Sequence, residues 1–254
     1  MNIAQLLQRT ALAYPERPAV LHGEEQILDY RELAERAAKL AGYFTQILGL
    51  SEGSRVALFM KNCPQYLEIL YGAWWAGMVV VPVNAKLHPR ELTYVLRNSQ
   101  ADCFFVTEDL AADVASAVLE SELRLNVVTV NSTEYEDAFS VDPNPLKHRM
   151  QDDVAWLFYT SGTTGNPKGV MQTNRNLLAM AVPLCLNQSV FAASSSPRRR
   201  DCADASSIAR GSRVFSGYCC KNHPCESPGP AAHPVWVCVS EPGRHEQLSP
   251  CCTT

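Results

Sequence analysis

The sequence predicts an α/β protein with a mostly parallel, doubly wound sheet. Short apolar runs of strand length alternate with longer helical patterns along the first 182 residues, as in proteins built from successive β–α units. One run, Val79–Val83, is apolar throughout, which is typical of a strand that is covered on both faces. A second run, Val154–Phe158, leads directly into a loop rich in glycine, serine and threonine. Because open α/β sheets bind ligands at the carboxyl ends of their strands, this loop is predicted to lie at the functional edge.

The elements that precede this loop follow from local signals. An amphipathic helix is predicted over Asn2–Ala13 and a hairpin over Ala19–Leu28. Asp29 begins the clearest helix, because Glu32 completes a capping-box pattern three residues later. The remaining predictions, in order, are a strand over Arg55–Met60, a helix with Pro64 in its first turn, a strand over Val79–Val83, a helix from Pro89 to about Ser99, a strand over Cys103–Thr107, a helix over Asp109–Leu119, a strand over Leu125–Val130, a connecting loop over Val141–Met150 and, after the glycine-rich loop, a helix over Leu177–Val182.

Several conspicuous side chains are assigned to packing rather than to chemistry. Tyr71, Trp74 and Trp75 are predicted to lie in the core, since large aromatic rings contribute most when they are buried. Cys63 and Cys103 are interpreted as small buried hydrophobic residues in a reducing compartment.

The stretch Tyr159–Gly169, YTSGTTGNPKG, has the composition of a phosphate-binding loop. Glycine lets backbone N–H groups approach a polyphosphate without an intervening Cβ, and hydroxyl groups add donors. Lys168 adds a compact positive charge for phosphate oxygens. The spacing excludes a Walker A loop, because only two residues separate Gly162 from Gly165 and a glycine follows the lysine. The alternative is an ordinary solvated turn. The residues predicted to bind the ligand are Thr160, Ser161, Gly162, Thr163, Thr164, Gly165 and Lys168.

These eleven residues resemble the signature loop of the AMP-forming, adenylate-forming enzymes, a family that includes the acyl-CoA synthetases. The resemblance extends to Gly72–Leu92 and covers residues 3–182, most weakly over 108–150. It implies that the loop holds the β- and γ-phosphates of ATP while a carboxylic acid attacks the α-phosphate. The acyl group of the resulting acyl-adenylate would then pass to the thiol of CoA. By this resemblance the chain comes from an acid–thiol ligase of fatty acid metabolism, with ATP, Mg²⁺ and CoA as cofactors and an incomplete N-terminal domain of the family fold.

The rest of the family's site has no candidate in this sequence. The resemblance implies that the acyl pocket, an acidic magnesium ligand and a lysine serving adenylation all follow the loop, beyond the point where the family pattern ends. We therefore assign no catalytic residue and no metal ligand, and we predict that the 254-residue chain does not catalyse adenylation. The alternative is a non-catalytic fragment with at most weak nucleotide binding. Luciferases and peptide-synthetase adenylation domains share the loop, so the loop does not determine which thiol accepts the acyl group.

The composition changes near residue 186. Residues 1–186 contain 25 leucines and carry a net charge of -6, whereas residues 187–254 contain Leu248 alone and carry +2. Seven of the ten cysteines lie in this second part. We therefore divide the chain into a partial AMP-binding domain, 1–186, and a Cys/Ser/Pro-rich tail, 187–254. The tail is predicted to be disordered or out of frame, because so few apolar residues cannot offset the entropy of ordering.

Three origins of the tail are open. An unselected reading frame would give this shortage of leucine and excess of Cys, Ser, Pro and Arg. A Cys/His metal-binding module is suggested by Cys219, Cys220, His223 and Cys225, although their spacing is not a usual zinc pattern. A disulfide-rich extension is the third possibility, and it conflicts with the lack of a secretion signal.

Other functional classes are disfavoured by charge and hydropathy. The formal net charge of -4 argues against nucleic-acid binding. The apolar segment Ile69–Val83 is shorter than the roughly 20 residues that a membrane span needs, and glycines and a proline interrupt it. The sequence therefore predicts no membrane span and a cytoplasmic protein.

Overall fold

The computed structural model describes residues 1–120, 125–160, 167–181 and 237–239 of the chain. The helices are α1 (Gln5–Ala13), α2 (Tyr30–Gly42, continued by a π-helical turn over Tyr43–Ile47), α3 (Pro64–Trp75), α4 (Pro89–Ser99), α5 (Glu108–Glu120), α6 (Thr133–Asp137, continued by a 3₁₀ turn over Ala138–Ser140) and α7 (174–181). The strands are β1 (Pro18–His22), β2 (Glu25–Asp29), β3 (Arg55–Phe59), β4 (Val79–Val83), β5 (Cys103–Val106), β6 (Asn126–Thr129), β7 (Val154–Thr160), β8 (Lys168–Thr173) and β9 (Val237–Val239).

A six-stranded sheet with the order β6-β5-β3-β4-β7-β8 forms the centre of the fold. Its strands run parallel except for β8, which pairs antiparallel with β7. Side chains alternate between two cores along β3, since Val56 and Leu58 face one core and Ala57 and Phe59 face the other. Helices α2 and α3 contribute to the first core, and α4 contributes to the second. The predicted α/β class and the mostly parallel, doubly wound sheet are confirmed.

Local signals determine where several elements begin. Asp29 caps α2, and its side chain accepts a hydrogen bond from the Glu32 amide at 2.8 Å while Glu32 accepts from the Asp29 amide. Pro64 stands in the first turn of α3, as predicted. His88 caps α4, with Glu91 completing a second capping box.

Helix α1 begins at Gln5, three residues later than predicted. Asn2 lies outside the helix because its side chain makes hydrogen bonds to distant parts of the chain. The Asn2 side chain is buried and donates to the Trp74 carbonyl oxygen at 2.6 Å and to the Lys147 carbonyl oxygen at 2.9 Å. Asn174, also buried, accepts a hydrogen bond from the Ile3 amide at 2.9 Å. These contacts hold the first residues against α3, the segment before β7 and the start of α7.

A smaller sheet has the order β2-β1-β9, in which β1 and β2 form the predicted hairpin. Strand β9 comes from the segment predicted to be a disordered tail, and it pairs parallel with Val20–His22 of β1. The rest of residues 187–254, including the proposed Cys/His cluster, lies outside the described residues, so the two-part division of the chain stays a prediction. Among the described residues, no helix is long and apolar enough to cross a membrane.

Candidate functional site

The two ends of the glycine-rich loop lie opposite each other on the β7–β8 hairpin. Thr160, the last residue of β7, is the register partner of Lys168, the first residue of β8. Strand β7 runs parallel to β4 and pairs with it through Val80 and Trp156. The loop therefore leaves the sheet at the carboxyl end of a parallel strand, where the sequence predicts it.

Packing against α3 holds β7 in place. The Trp74 indole N–H donates to the Ala155 carbonyl oxygen at 2.9 Å, and the Trp74 ring packs edge-on against Trp156 with a centroid distance of 5.9 Å. Trp156 in turn packs edge-on against Phe158 at 6.2 Å. The prediction that Trp74 and Trp75 belong to the core is confirmed, since both are buried, and Tyr71 packs against the same core.

A cleft of about 280 Å³ lies beside the base of the loop. The carboxyl ends of β4 and β7 and the first turn of α4 line it, with Pro167 closing the side next to β8. Its lining residues are Val83, Asn84, Leu87, Glu91, Phe158, Tyr159, Thr160 and Pro167. A larger groove of about 620 Å³ is lined by α1 and α2, but none of the loop residues borders it. The smaller cleft is therefore the candidate site.

Among the loop residues predicted to bind the ligand, Thr160 and Lys168 are described, and both side chains are exposed. Within the described part of the chain, Lys168 has no ion-pair partner, so its ammonium group is available to an anion. Ser161, Gly162, Thr163, Thr164 and Gly165 lie outside the described residues, and their role stays a prediction. In the same described part, no group of three or more His, Cys, Asp or Glu side chains could hold a metal ion.

The structure adds site residues that sequence reasoning did not identify. Asn84 and Glu91 reach the cleft from the turn after β4 and from α4, more than sixty residues before the loop in the chain. Tyr159 lines the same cleft, and burial raises the pKa of its hydroxyl, with a further contribution from Tyr94, so the group is a neutral donor. Asn84 directly follows the buried parallel strand β4, and this position was a signal that could have identified it.

Apolar side chains are exposed on both faces of the β7–β8 hairpin. Phe158 and Val170 are register partners on one face and are 46% and 42% exposed, and Met171 on the other face is 65% exposed. Strand β8 also forms the edge of the sheet among the described strands.

Comparison with known proteins shows the class to which the chain belongs. The family model described as AMP-binding enzyme matches residues 7–201, about three quarters of the chain. The chain is therefore a member of the AMP-binding enzyme family, as the signature loop and the α/β sheet together indicate.

Related curated proteins are CoA ligases for different acids. The chain is 33% identical over 212 residues to a long-chain-fatty-acid–CoA ligase of Salmonella typhimurium, a match that covers 70% of this chain and 37% of that protein. It is 38% identical over 169 residues to a feruloyl-CoA synthase of Amycolatopsis sp, covering 66% of this chain and 33% of that one. The chain thus spans about a third of the length of the relatives it matches.

Solved structures of related enzymes share the fold. A benzoate CoA ligase from Burkholderia xenovorans superposes with a TM-score of 0.63 at 26% identity, covering 72% of this chain and 36% of that one. A fatty acyl CoA synthetase of Mycobacterium tuberculosis superposes with a TM-score of 0.62 at 25% identity, covering 79% and 38%. Both comparisons place this chain on part of a larger ligase fold.

Proposed function

We propose that the chain belongs to an enzyme that activates a carboxylic acid with ATP and transfers the acyl group to CoA. The observation that carries this proposal is the β7–β8 hairpin, which holds Thr160 and Lys168 opposite each other at the carboxyl end of a parallel strand. The related CoA ligases of fatty, aromatic and succinylbenzoic acids support the reaction class. These relatives are named for different acids, so we propose the reaction class and not one particular acid.

The loop would act through charge and hydrogen bonding. Thr160, Ser161, Gly162, Thr163, Thr164 and Gly165 would donate hydrogen bonds to the β- and γ-phosphates of ATP, and Lys168 would offset their charge. Strand ends that are fixed by a packed hairpin reduce the conformational freedom which the loop loses on binding. Mg²⁺ would neutralise part of the phosphate charge, and CoA would supply the acceptor thiol.

We also propose a cytoplasmic location for this reaction. ATP and CoA are cytoplasmic metabolites, and Cys63 and Cys103 are free thiols, which agrees with a reducing compartment. The partners we propose are a small carboxylic acid, ATP and CoA.

Adenylation needs more groups than the described part provides. The carboxylate must lie within about 3–3.5 Å of the α-phosphorus, in line with the leaving pyrophosphate, and charge must be offset from several directions. Within the described residues, Lys168 is the one cationic side chain of the predicted loop. We therefore propose that the 254-residue chain alone binds nucleotide but does not complete the reaction.

A chimeric enzyme tests the function. Residues 1–182 of this chain would be joined to the matching remainder of the Amycolatopsis feruloyl-CoA synthase, and acid-dependent exchange of labelled pyrophosphate into ATP would be measured. We expect exchange by the chimera, about a 100-fold loss in its Lys168→Ala variant, and little loss in Lys39→Ala, a control on α2. Undiminished exchange in Lys168→Ala would refute the assignment of this lysine.

A further inference from the structure

Tyr159 lies at the base of the loop, and its ring packs against β8. It is the register partner of Gly169, the residue that follows Lys168. A Cβ placed on Gly169 would lie 3.0 Å from the Cζ atom of the Tyr159 ring and 3.2 Å from its hydroxyl oxygen. These distances are shorter than ordinary van der Waals contact, so glycine at this position leaves the space that the ring occupies.

The hydroxyl group of Tyr159 connects the hairpin to a neighbouring helix. It donates a hydrogen bond to Asn98 Oδ1 at 2.6 Å, and Asn98 stands in the last turn of α4. Helix α4 is itself fixed, because Leu92, Val95 and Leu96 are buried in the second core. Tyr159 therefore connects the exposed ends of β7 and β8 to the packed helix α4.

We propose that Tyr159 is a positioning residue for the phosphate loop, acting through its ring contact with Gly169 and its hydrogen bond to Asn98. These two contacts hold Thr160 and Lys168 opposite each other, so the loop begins and ends at fixed points beside the cleft. The proposal rests on the proposed function, since fixed loop ends matter here because they reduce the entropy lost when phosphate binds. Lys168 would reach the phosphate, and Tyr159 would act through Lys168.

Backbone hydrogen exchange on the 254-residue chain without nucleotide tests the contacts themselves. Removing one hydrogen bond in Tyr159→Phe or in Asn98→Ala should speed exchange at residues 158–160 and 168–170 about five-fold. The double variant should be no faster than either single variant, because both changes remove the same bond. Asn98→Asp keeps an acceptor and should restore slow exchange. Gly169→Ala should speed exchange further, because its Cβ displaces the ring.

A matched control separates this effect from the general loss of a tyrosine hydroxyl. Tyr43→Phe removes a hydroxyl that donates to Glu134 at 2.9 Å in the helical layer. It should leave exchange at 158–160 and 168–170 unchanged. Wild-type exchange rates at these residues in both Tyr159→Phe and Asn98→Ala would overturn the proposed contacts, even if Gly169→Ala failed to fold.

Binding of MgATP tests the positioning role. The dissociation constant should rise about five-fold in Tyr159→Phe and in Asn98→Ala, and should not change in Tyr43→Phe. Faster exchange with unaltered MgATP affinity would overturn the positioning role alone and leave the phosphate loop standing. Failure of the unaltered chain to bind MgATP would overturn the phosphate loop and with it the role of Tyr159. The two proposals therefore fail by different results.

Discussion

Replacing Arg36 by methionine should destabilise the protein strongly, because it would leave a buried carboxylate without its counter-charge. Glu68 on α3 has a side chain that is 3% exposed, and its Oε2 atom lies 2.8 Å from the Arg36 guanidinium. The same oxygen accepts a hydrogen bond from the Tyr135 hydroxyl at 2.7 Å, and the guanidinium stacks on Phe139 at 3.6 Å from the ring centroid. The three elements α2, α3 and α6 meet at this cluster.

The expected cost follows from this geometry. Breaking a buried ion pair by removing one partner costs about 3–5 kcal/mol, and the lost contact with Phe139 adds about 0.5–2 kcal/mol. Since a domain is stable by roughly 5–15 kcal/mol, Arg36→Met should remove much of the total. Arg36→Met combined with Glu68→Leu and Tyr135→Phe should recover stability, because neither a charge nor an unpaired hydroxyl then stays buried.

Urea unfolding monitored by tryptophan fluorescence provides the assay, with the free energy of unfolding taken from the midpoint and slope. The control is Arg31→Met on the same helix, which removes the exposed partner of a 3.5 Å ion pair and leaves Asp29 the hydrogen bond from the Glu32 amide, so it should cost no more than about 1 kcal/mol. If Arg36→Met cost no more than this control, or if adding Glu68→Leu and Tyr135→Phe lowered stability further, the reasoning would be refuted.

Two further predictions concern packing and pH. Gly72→Ala should lower the free energy of unfolding by about 1–3 kcal/mol. The reason is that its Cβ would lie 2.7 Å from the Leu40 Cβ where α3 meets α2. A Gly→Ala change within a helix usually raises the melting temperature, and such a rise here would contradict this prediction. Burial raises the pKa of Tyr66 and of Tyr71 to about 12, whereas the unfolded chain releases these protons near pH 10. The contribution of these two groups to the free energy of unfolding should therefore be fully present below about pH 10. It should be lost as the pH rises towards about 12. Urea midpoints across this range should fall less steeply in Tyr71→Phe, and equal slopes would show that Tyr71 is not the cause.

Much of the fold could be predicted because its signals are local. Asp29 and Glu32 lie within one turn of each other, so their capping box is visible in the sequence and is present in the structure. The apolar run Val79–Val83 contains too few polar groups for a solvated face, and it forms a central strand of the sheet. The strand that leads into the loop was visible for the same reason.

Features that depend on distant contacts could not be predicted. Glu68 has the pattern of an exposed helix residue, and its partners Arg36 and Tyr135 lie 32 and 67 residues away in the chain. The short helix α6 was missed because it has one helical turn and no apolar period. Its one local signal is Ser132, whose side chain caps the helix by accepting from the Tyr135 amide.

The candidate site also combines residues with a local sequence signal and residues brought in by distant contacts. The loop residues were predicted from the composition of one stretch, and the structure shows Thr160 and Lys168 as register partners. The antiparallel course of β8 was not predicted, since a short apolar pattern does not indicate strand direction. Asn84, Glu91 and Asn98 were not identified, because they approach the loop through the packing of β4 and α4.

Calorimetric titration of the 254-residue chain with MgATP tests the phosphate-loop assignment most directly. We expect measurable binding by the unaltered chain and a loss of about 10- to 100-fold in Lys168→Ala, the usual effect of removing a charged hydrogen-bond donor. Lys39→Ala on α2 should bind as the unaltered chain does. Equal affinity in the Lys168→Ala and Lys39→Ala variants would contradict the assignment, because the exposed lysine at the end of the loop would then contribute nothing to phosphate binding.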